Sequence, residues 1–445
     1  MNITSYKTHF RETTSLAFPI VIGQLGQVLM GVLDTAMIGV LGYVPVSAAG
    51  LANNLIILII VFGIGILSAV PSLVAAAKGQ NNLIACRDYL QQGTYISLIM
   101  GVLFAAIFYF GAPLLQYIPN QPPEDIILAV DFMKVIALGM PFFMLFFVFK
   151  SFADGTGNSK PSMYITLIGL SINFLLNLLL IEGKWGFPRL ELIGAGVATD
   201  ICRFVMFVLM ASYVLFSQKY KAYHLLEGWG KWIKKELIKI LSIGVPSGLQ
   251  YFFEIGAFAG AAVLMGKLGS ESRSAHQIAI SMVSITYMFA AGIAGATSIR
   301  IGTAFGHQNR AEIQKAGFSG LILTLVIMIF FAFMLIIGRD FLPAIFSIES
   351  AYVKDTTSHL LIIAAIFQVF DGAQVVGLGM LRGIQDVRYP TIITFVSYWV
   401  LCIPVGHFLT FTLKMGVEGF WYAFVLGLAV AAIFNNIRFW KLSKA

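Results

Sequence analysis

Long apolar stretches separated by short polar turns dominate the sequence. Each stretch has roughly the 20 residues that an α-helix needs to cross the core of a bilayer. Charged and turn-forming residues interrupt the pattern, for example at 78–82, 119–123, 154–161 and 306–310. The pattern predicts twelve membrane spans, near residues 15–39, 46–76, 93–118, 128–153, 161–182, 192–216, 238–265, 276–305, 316–338, 358–381, 390–413 and 418–438.

The composition supports a lipid environment. Of the 445 residues, 58% are apolar and 11% are charged, whereas soluble domains average about 45–50% and about 25%. These values exclude a disordered chain, a secreted disulfide scaffold and a nucleic-acid-binding protein. Cys86, Cys202 and Cys402 lie far apart, so their spacing indicates neither a zinc site nor a disulfide framework.

The placement of lysine and arginine predicts the orientation. Most of the 29 cations fall in segments that lie on one side if the N-terminus is inside, including the basic stretch between Lys219 and Lys239. Because cytoplasmic loops carry the excess of positive charge, we expect both termini in the cytoplasm. The basic loops then act as an orientation signal beside anionic lipid, and they explain the net charge of +8 without a nucleic-acid partner.

The two halves of the chain are related by a duplication. A constant shift of 227 residues superimposes residues of the first two spans on the seventh and eighth without a gap. The superimposed pairs include Pro19 with Pro246, Gly39 with Gly266, Gly65 with Gly292, and Asn82 with Asn309.

This duplication predicts the domain organisation. We expect an N-lobe at 1–220, a basic cytoplasmic linker at 221–237 and a C-lobe at 238–445. Six spans per half bring each half back to the same side, so the halves are parallel repeats. The predicted fold is an all-α membrane protein of twelve transmembrane helices, arranged as two six-helix repeats around a central cavity. That plan is more typical of a transporter than of an enzyme.

Three carboxylates fall inside the predicted spans. Asp34, Glu254 and Asp371 each occur in one half only, because the shift places no acid opposite any of them. Charged groups at bilayer depth are costly and usually face a cavity or a partner. We therefore predict that these acids exchange a proton for Na⁺ or an organic cation. The alternative is a neutral acid that hydrogen-bonds a neighbouring helix, or, for Asp34, a pair with a nearby asparagine.

Asn173 and Asn177 share one face of a predicted helix, since they are four residues apart. With Asp34 and Thr199 they offer the oxygen ligands that a hard cation prefers. Amide–amide contacts between helices are the competing interpretation. Lys150 and Arg203 also lie within spans, either with their charged ends reaching the interface or as counter-ions of the acids.

Several enzyme signatures are missing from the sequence. The segment 155–160 lacks the spacing of a P-loop, and no GxSxG or HExxH motif occurs. We therefore expect no enzymatic activity.

The chain resembles the multidrug and toxic compound extrusion (MATE) family, most closely its bacterial NorM-type branch. The resemblance covers essentially the whole chain. Its specific motifs are Pro19 with Gln24 and Gln27, the stretch 34–42, Pro71 with Lys78 and Gly79, the stretch 194–199, and Glu254 with Asp371.

The resemblance implies export of cationic, lipophilic drugs or toxic metabolites in exchange for Na⁺ or H⁺ by alternating access. It places Glu254 and Asp371 in a C-lobe site for cation and substrate, and Asp34, Asn173, Asn177 and Thr199 in an N-lobe cation site. Residue 367, often tyrosine in close relatives, is Phe367, which removes a hydroxyl ligand near Asp371. Further site candidates are Gln27, Gln250 and Gln374.

The expected protein is a monomer in the bacterial inner membrane that needs no cofactor besides its coupling ion. Its expected partners are small organic cations, Na⁺ or H⁺ and the lipid bilayer. The nearest rival function is a flippase for lipid-linked oligosaccharides, which would need basic side chains in its cavity. A rival of another class is an integral membrane enzyme.

Overall fold

The structure is a computed structural model that describes residues 3–117, 122–343 and 350–444, and the described residues form helices and no strands. The α-helices are α1 (Ile3–Gly39), α2 (Tyr43–Leu67), α3 (Ala69–Gly79), α4 (Leu83–Gly111), α5 (Pro123–Leu138), α6 (Met140–Gly155), α7 (Lys160–Leu180), α8 (Glu191–Phe216), α9 (Lys234–Gly266), α10 (Ser270–Gly306), α11 (Arg310–Gly338), α12 (Ala351–Gly383), α13 (Arg388–Phe395), α14 (Ile403–His407) and α15 (Gly416–Lys444).

Eleven helical stretches within the described residues are long and apolar enough to cross a membrane. Helices α2 and α3 form one of them, and the helical stretch Arg388–Thr412, which includes two π-helical segments, forms another. The bent pair α5 and α6 supplies a twelfth span. The prediction of an all-α membrane protein with twelve spans is therefore confirmed, although the turn expected at 119–123 lies mostly outside the described residues.

The turns retain the duplication in their backbone conformation. Gly42 and Gly269, 227 residues apart, precede α2 and α10 with φ angles of 106° and 111°. A glycine adopts this region without the steric penalty that other residues meet. Similarly, the side chain of Asn82 accepts a hydrogen bond from the first turn of α4, and that of Asn309 does the same for α11.

The described chain divides into two compact units. One unit comprises residues 22–248 and is called the N-unit here. The other comprises residues 1–21 together with 249–445 and is called the C-unit. The boundaries fall inside α1 and α9, so the first turns of each of these helices belong to a different unit from the rest of the helix.

Small residues allow close helix packing inside the C-unit. On α12, a Cβ atom on Gly379 would lie 2.6 Å from the carbonyl oxygen of Ala294, and one on Gly383 would lie 2.8 Å from that of Ser298. Both carbonyls belong to α10. Because real Cβ atoms do not approach this closely, alanine at either position would push α12 away from α10. This close contact fixes the position of α12, which carries Asp371, against α10.

The segment between α8 and α9 lies within the N-unit and is hydrogen-bonded to α4. Gln92 donates to the carbonyl of Lys231 at 3.0 Å and accepts from the N–H of Ile233 at 3.1 Å. The hydroxyl of Tyr95 accepts a hydrogen bond from the N–H of Gly230 at 2.7 Å. These hydrogen bonds satisfy backbone groups that no helix pairs, and they give the basic linker a defined path.

Candidate functional site

The N-unit brings three predicted polar side chains together around Asp34. Asn177 Nδ2 donates to one carboxylate oxygen of Asp34 at 2.6 Å, and Thr199 Oγ1 donates to the other at 3.2 Å. Asn177 Nδ2 also lies 3.3 Å from Asn173 Oδ1 on the same helix. Three helices, α1, α7 and α8, thus converge on one carboxylate.

This arrangement leaves two amide atoms unpaired. Asn173 and Asn177 are fully buried, yet Asn173 Nδ2 and Asn177 Oδ1 have no hydrogen-bond partner. An unpaired buried polar atom costs roughly 1–3 kcal/mol. A monovalent cation beside Asp34 would gain an oxygen ligand from Asn177. Because the cation pairs this oxygen, the cost of leaving it unpaired disappears, which favours binding.

The packing of α7 against α8 holds these groups in register. A Cβ on Gly169 would lie 2.5 Å from the sulfur of Met206. The thiol of Cys202 lies 3.1 Å from the carbonyl oxygen of Gly169 and donates to it. Gly169 lies one turn before Asn173 on α7, and Cys202 lies close to Thr199 on α8. This close approach therefore sets the distance between α7 and α8 at the site.

The C-unit contains the other two acids. Glu254 on α9 and Asp371 on α12 are 5% and 4% exposed, and the charges of the two carboxylates act on each other. One oxygen of Asp371 has no hydrogen-bond partner. Gln374, one turn along α12, accepts a hydrogen bond from the hydroxyl of Tyr398 at 2.9 Å, while its own amide nitrogen is unpaired.

Aromatic rings pack around Phe367, one helical turn before Asp371. The ring of Phe367 lies 6.0 Å from that of Phe258, 5.5 Å from that of Trp421 and 6.2 Å from that of Phe424, measured between centroids. Phe258 also lies 5.9 Å from Tyr398. Phe367 is 2% exposed and precedes Asp371 by one helical turn. Aromatic faces attract cations, so this wall suits an organic cation next to the acids.

The two remaining glutamine candidates differ in their surroundings. Gln250 Nε2 donates to the carbonyl of Val387 at 3.1 Å and lies 2.9 Å from the hydroxyl of Thr391, so its amide joins α9 to the start of α13. Gln27 lies on α1 two turns before Asp34, and its amide nitrogen is buried without a partner. Gln27 therefore retains a free donor in the N-unit, whereas the donor of Gln250 is in use.

Lys150 and Arg203, the two basic residues that the sequence analysis placed within the spans, pair with acids of their own helices. Lys150 Nζ lies 2.8 Å from Asp154 Oδ2, and Arg203 Nη1 lies 3.3 Å from Asp200 Oδ1. Neither forms an ion pair with Asp34, although the charge of Arg203 acts on that carboxylate.

Sequence reasoning missed Asp200 and Tyr398. Asp200 directly follows Thr199 and precedes Arg203 by one turn. This spacing places both charges on one face of a helix and predicts an ion pair. Tyr398 lies in a run of apolar residues within the π-helical segment Val396–Cys402, and nothing in that run indicates its contact with Gln374.

Comparisons with known proteins place this arrangement in a family. The family model MatE matches residues 19–179 and again residues 246–408. The two matches start 227 residues apart, which is the shift seen in the sequence, and together they cover more than half of the chain. The chain belongs to the MATE family. The predicted resemblance is thereby confirmed.

Full-length relatives agree with this assignment. The chain is 34% identical over 441 residues to the multidrug resistance protein NorM of Photobacterium profundum, covering 98% of this chain and 96% of the relative. It is 32% identical over 443 residues to the multidrug resistance protein MdtK of Yersinia pseudotuberculosis, covering 99% and 97%. This MATE protein is therefore similar to the NorM-type members across its whole length.

Solved structures share the fold. A multidrug resistance MATE family transporter of the MOP superfamily, solved in an outward-facing conformation, superimposes with a TM-score of 0.89 at 21% identity, covering 98% of this chain and 97% of the other. The eukaryotic MATE transporter AtDTX14 gives a TM-score of 0.88 at 18% identity, covering 99% and 98%. At these identities the comparison establishes the fold of this MATE protein.

Proposed function

We propose that this MATE protein is a secondary antiporter of the bacterial inner membrane, with both termini in the cytoplasm. It exports small lipophilic cations in exchange for Na⁺ or H⁺ by alternating access. The relatives named multidrug resistance proteins support the export of drugs. The chemistry of the two carboxylate sites supports a cationic substrate and a cationic coupling ion.

One observation carries this proposal: three acids inside the spans lack a partner of opposite charge. Among the described residues, Asp34, Glu254 and Asp371 form no ion pair, whereas Asp154 and Asp200 each have a basic partner. An unpaired carboxylate in a low-dielectric environment strongly favours a proton or a bound cation.

We assign the C-unit site to the substrate and to coupling. Two neighbouring carboxylates repel each other when both are ionised, so a shared proton or a cation relieves that repulsion. Glu254 and Asp371 would hold the coupling ion and an organic cation in alternation, because both compete for the same negative charge. The rings of Phe258, Phe367 and Trp421 contribute the apolar surface that a lipophilic cation prefers.

We assign the N-unit site to the coupling ion. Asp34 supplies one negative charge, and Asn173, Asn177 and Thr199 supply neutral oxygens. Within the described residues, no group of three or more His, Cys, Asp or Glu side chains is placed to hold a metal. A single charge with neutral ligands suits a monovalent ion better than a tightly held divalent one.

A flippase for lipid-linked oligosaccharides is the weaker alternative. Recognition of a pyrophosphate group requires free basic side chains. The two candidates that the sequence offered for that role, Lys150 and Arg203, form ion pairs with Asp154 and Asp200. The described acids therefore favour a cation over an anion as the transported group.

The proposal is tested by efflux of ethidium from energised cells. Wild type is expected to lower intracellular ethidium, and Asp371→Asn is expected to reduce the rate by at least about tenfold, because the remaining carboxylate loses its partner. Asp340→Asn is the matched control, since Asp340 is an exposed acid of the same unit. Efflux by Asp371→Asn equal to that of the control, at equal amounts of membrane-inserted protein, would refute the role assigned to Asp371.

A further inference from the structure

The ion pair between Asp200 and Arg203 lies at the break between α5 and α6. These helices are bent by 46° at Gly139. Arg203 Nη1 lies 3.5 Å from the carbonyl oxygen of Ile136, in the last turn of α5. The carboxylate of Asp200 packs directly against the backbone of Gly139, immediately before α6, and interacts with it electrostatically.

The two charges match the two helix ends. A helix carries partial negative charge at its C-terminus and partial positive charge at its N-terminus. Arg203 lies at the C-terminus of α5, and Asp200 lies at the N-terminus of α6. A break inside a membrane span also leaves backbone groups that need partners, because lipid offers none. The ion pair supplies such partners on both sides of the bend.

Residues on both sides of the break pack directly against this ion pair. A Cβ on Gly139 would overlap the carboxylate of Asp200, so the position has no room for a side chain. On the other side, the guanidinium of Arg203 lies 5.0 Å from the ring centroid of Phe143, in the first turn of α6. The side chains of Asp200 and Arg203 are only 14% and 13% exposed, which limits solvent screening of their charges.

The same turn of α8 also contacts the N-unit cation site. Thr199, the neighbour of Asp200, donates to Asp34 at 3.2 Å. The charge of Arg203 acts on both Asp200 and Asp34. A cation that binds at Asp34 therefore changes the electrostatic potential at Arg203. Arg203 in turn contacts the end of α5 through Ile136 and the start of α6 through Phe143.

We propose that Asp200 and Arg203 are positioning residues that connect occupancy of the Asp34 site to the bend between α5 and α6. Asp200 fixes the start of α6 and offsets the charge of Arg203. Arg203 fixes the end of α5 and opposes the binding of a cation at Asp34. The inference rests on the proposed antiport function, which gives the Asp34 site its ion.

Opposite effects of the two substitutions test this inference. The measured quantity is the concentration of the coupling ion, Na⁺ or H⁺, that gives half-maximal ethidium efflux. Asp200→Asn leaves Arg203 unopposed and is expected to raise that concentration by about tenfold. Arg203→Met removes the positive charge and is expected to lower it by about tenfold, whereas Arg203→Lys stays near wild type. A purely structural role would move both variants in the same direction.

A second buried ion pair provides the matched control. Lys150 and Asp154 also lie in the N-unit and form an ion pair on a single helix, one turn apart. We expect Lys150→Met and Asp154→Asn to leave the half-maximal ion concentration unchanged. Shifts of the Asp200 and Arg203 variants that have the same sign, or that match these controls, would overturn the inference.

Hydrogen–deuterium exchange at the break gives a readout that does not depend on transport. Amides of residues 136–143 are expected to exchange faster in Asp200→Asn, Arg203→Met and Gly139→Ala than in wild type. Gly50→Ala is the control, because a Cβ there meets nothing within 4 Å. Unchanged exchange at the break in Gly139→Ala would overturn the inference even if the other variants do not fold. Absence of ion-dependent efflux in wild type would instead refute the antiport function.

Discussion

The two carboxylate sites are built on different principles. In the N-unit, one carboxylate is held by two hydrogen-bond donors, Asn177 and Thr199. In the C-unit, two buried carboxylates interact electrostatically, and one oxygen of Asp371 has no hydrogen-bond partner. The first site resembles an ion-binding pocket with prepared ligands. The second combines two acidic side chains and has fewer hydrogen-bond donors to hold them.

This difference separates the scaffold, which the duplication repeats, from the acids of the two sites. The turns around Gly42 and Gly269 keep the same conformation in both halves, so the scaffold is repeated. The acids are not repeated. We infer that the C-unit site drives exchange between competing cations, while the N-unit site adjusts the conditions under which exchange occurs. Substitutions that move one site toward the character of the other test this inference.

The largest expected effect comes from the C-unit pair. Glu254→Gln, Asp371→Asn and the double variant should each reduce ethidium efflux by at least about tenfold, with little further loss in the double variant, because residues that share one ion act as a unit. Initial efflux rates normalised to protein in the membrane provide the measurement. Losses that multiply in the double variant would show that the two acids act independently.

A second carboxylate in the N-unit would make that site resemble the C-unit pair. Asn177 lies 2.6 Å from Asp34, so Asn177→Asp places two carboxylates at hydrogen-bond distance. We expect the ion concentration for half-maximal efflux to fall by about tenfold, because the added charge attracts the cation. Ion titrations of efflux in membrane vesicles check this prediction. A higher half-maximal concentration would contradict the assignment of a cation to Asp34.

Removing one hydroxyl from the C-unit tests the support of Gln374. Tyr398→Phe deletes the 2.9 Å hydrogen bond to the side-chain carbonyl of Gln374. A buried hydrogen bond of this kind contributes about 1 kcal/mol, so we expect a loss of efflux of roughly fivefold. Tyr164→Phe is the matched control, because Tyr164 is exposed on α7. Equal rates for both variants would remove Gln374 and Tyr398 from the functional site.

The smallest expected effect concerns Phe367. Phe367→Tyr adds a hydroxyl one turn before Asp371, whose oxygen is free to accept a hydrogen bond. We expect Na⁺ to stimulate efflux about threefold more than in wild type, because a hydroxyl oxygen is a suitable Na⁺ ligand. Phe258→Tyr serves as the control within the same aromatic wall. A loss of efflux with no change in Na⁺ dependence would show that the added atom only disturbs packing.

The sequence predicts the fold well, for physical reasons. Apolar stretches long enough for a bilayer leave few alternatives to helices, and all twelve predicted spans have helical counterparts. The spacing of Asn173 and Asn177 also predicted that they share one face of α7, where their side chains meet. Such contacts within a helix follow from its periodicity, so they are readable without a structure.

Contacts between distant helices were not predictable in this way. The hydrogen bond from Tyr398 to Gln374 depends on the rotation of the Arg388–Thr412 span, which contains two π-helical segments that alter the helical phase. The break at Gly139 and its contact with Asp200 depend on how α8 packs against α5 and α6. The role of each predicted acid remains a prediction until transport is measured.

Transport into proteoliposomes under separately imposed gradients tests the central claim most directly. Purified protein is reconstituted, ethidium uptake is followed, and a Na⁺ gradient or a proton gradient is applied alone. We predict that at least one of these gradients drives ethidium accumulation against its concentration difference, and that the double variant Glu254→Gln, Asp371→Asn abolishes it. Accumulation by the double variant equal to that of wild type, or no accumulation under either gradient, would contradict the account.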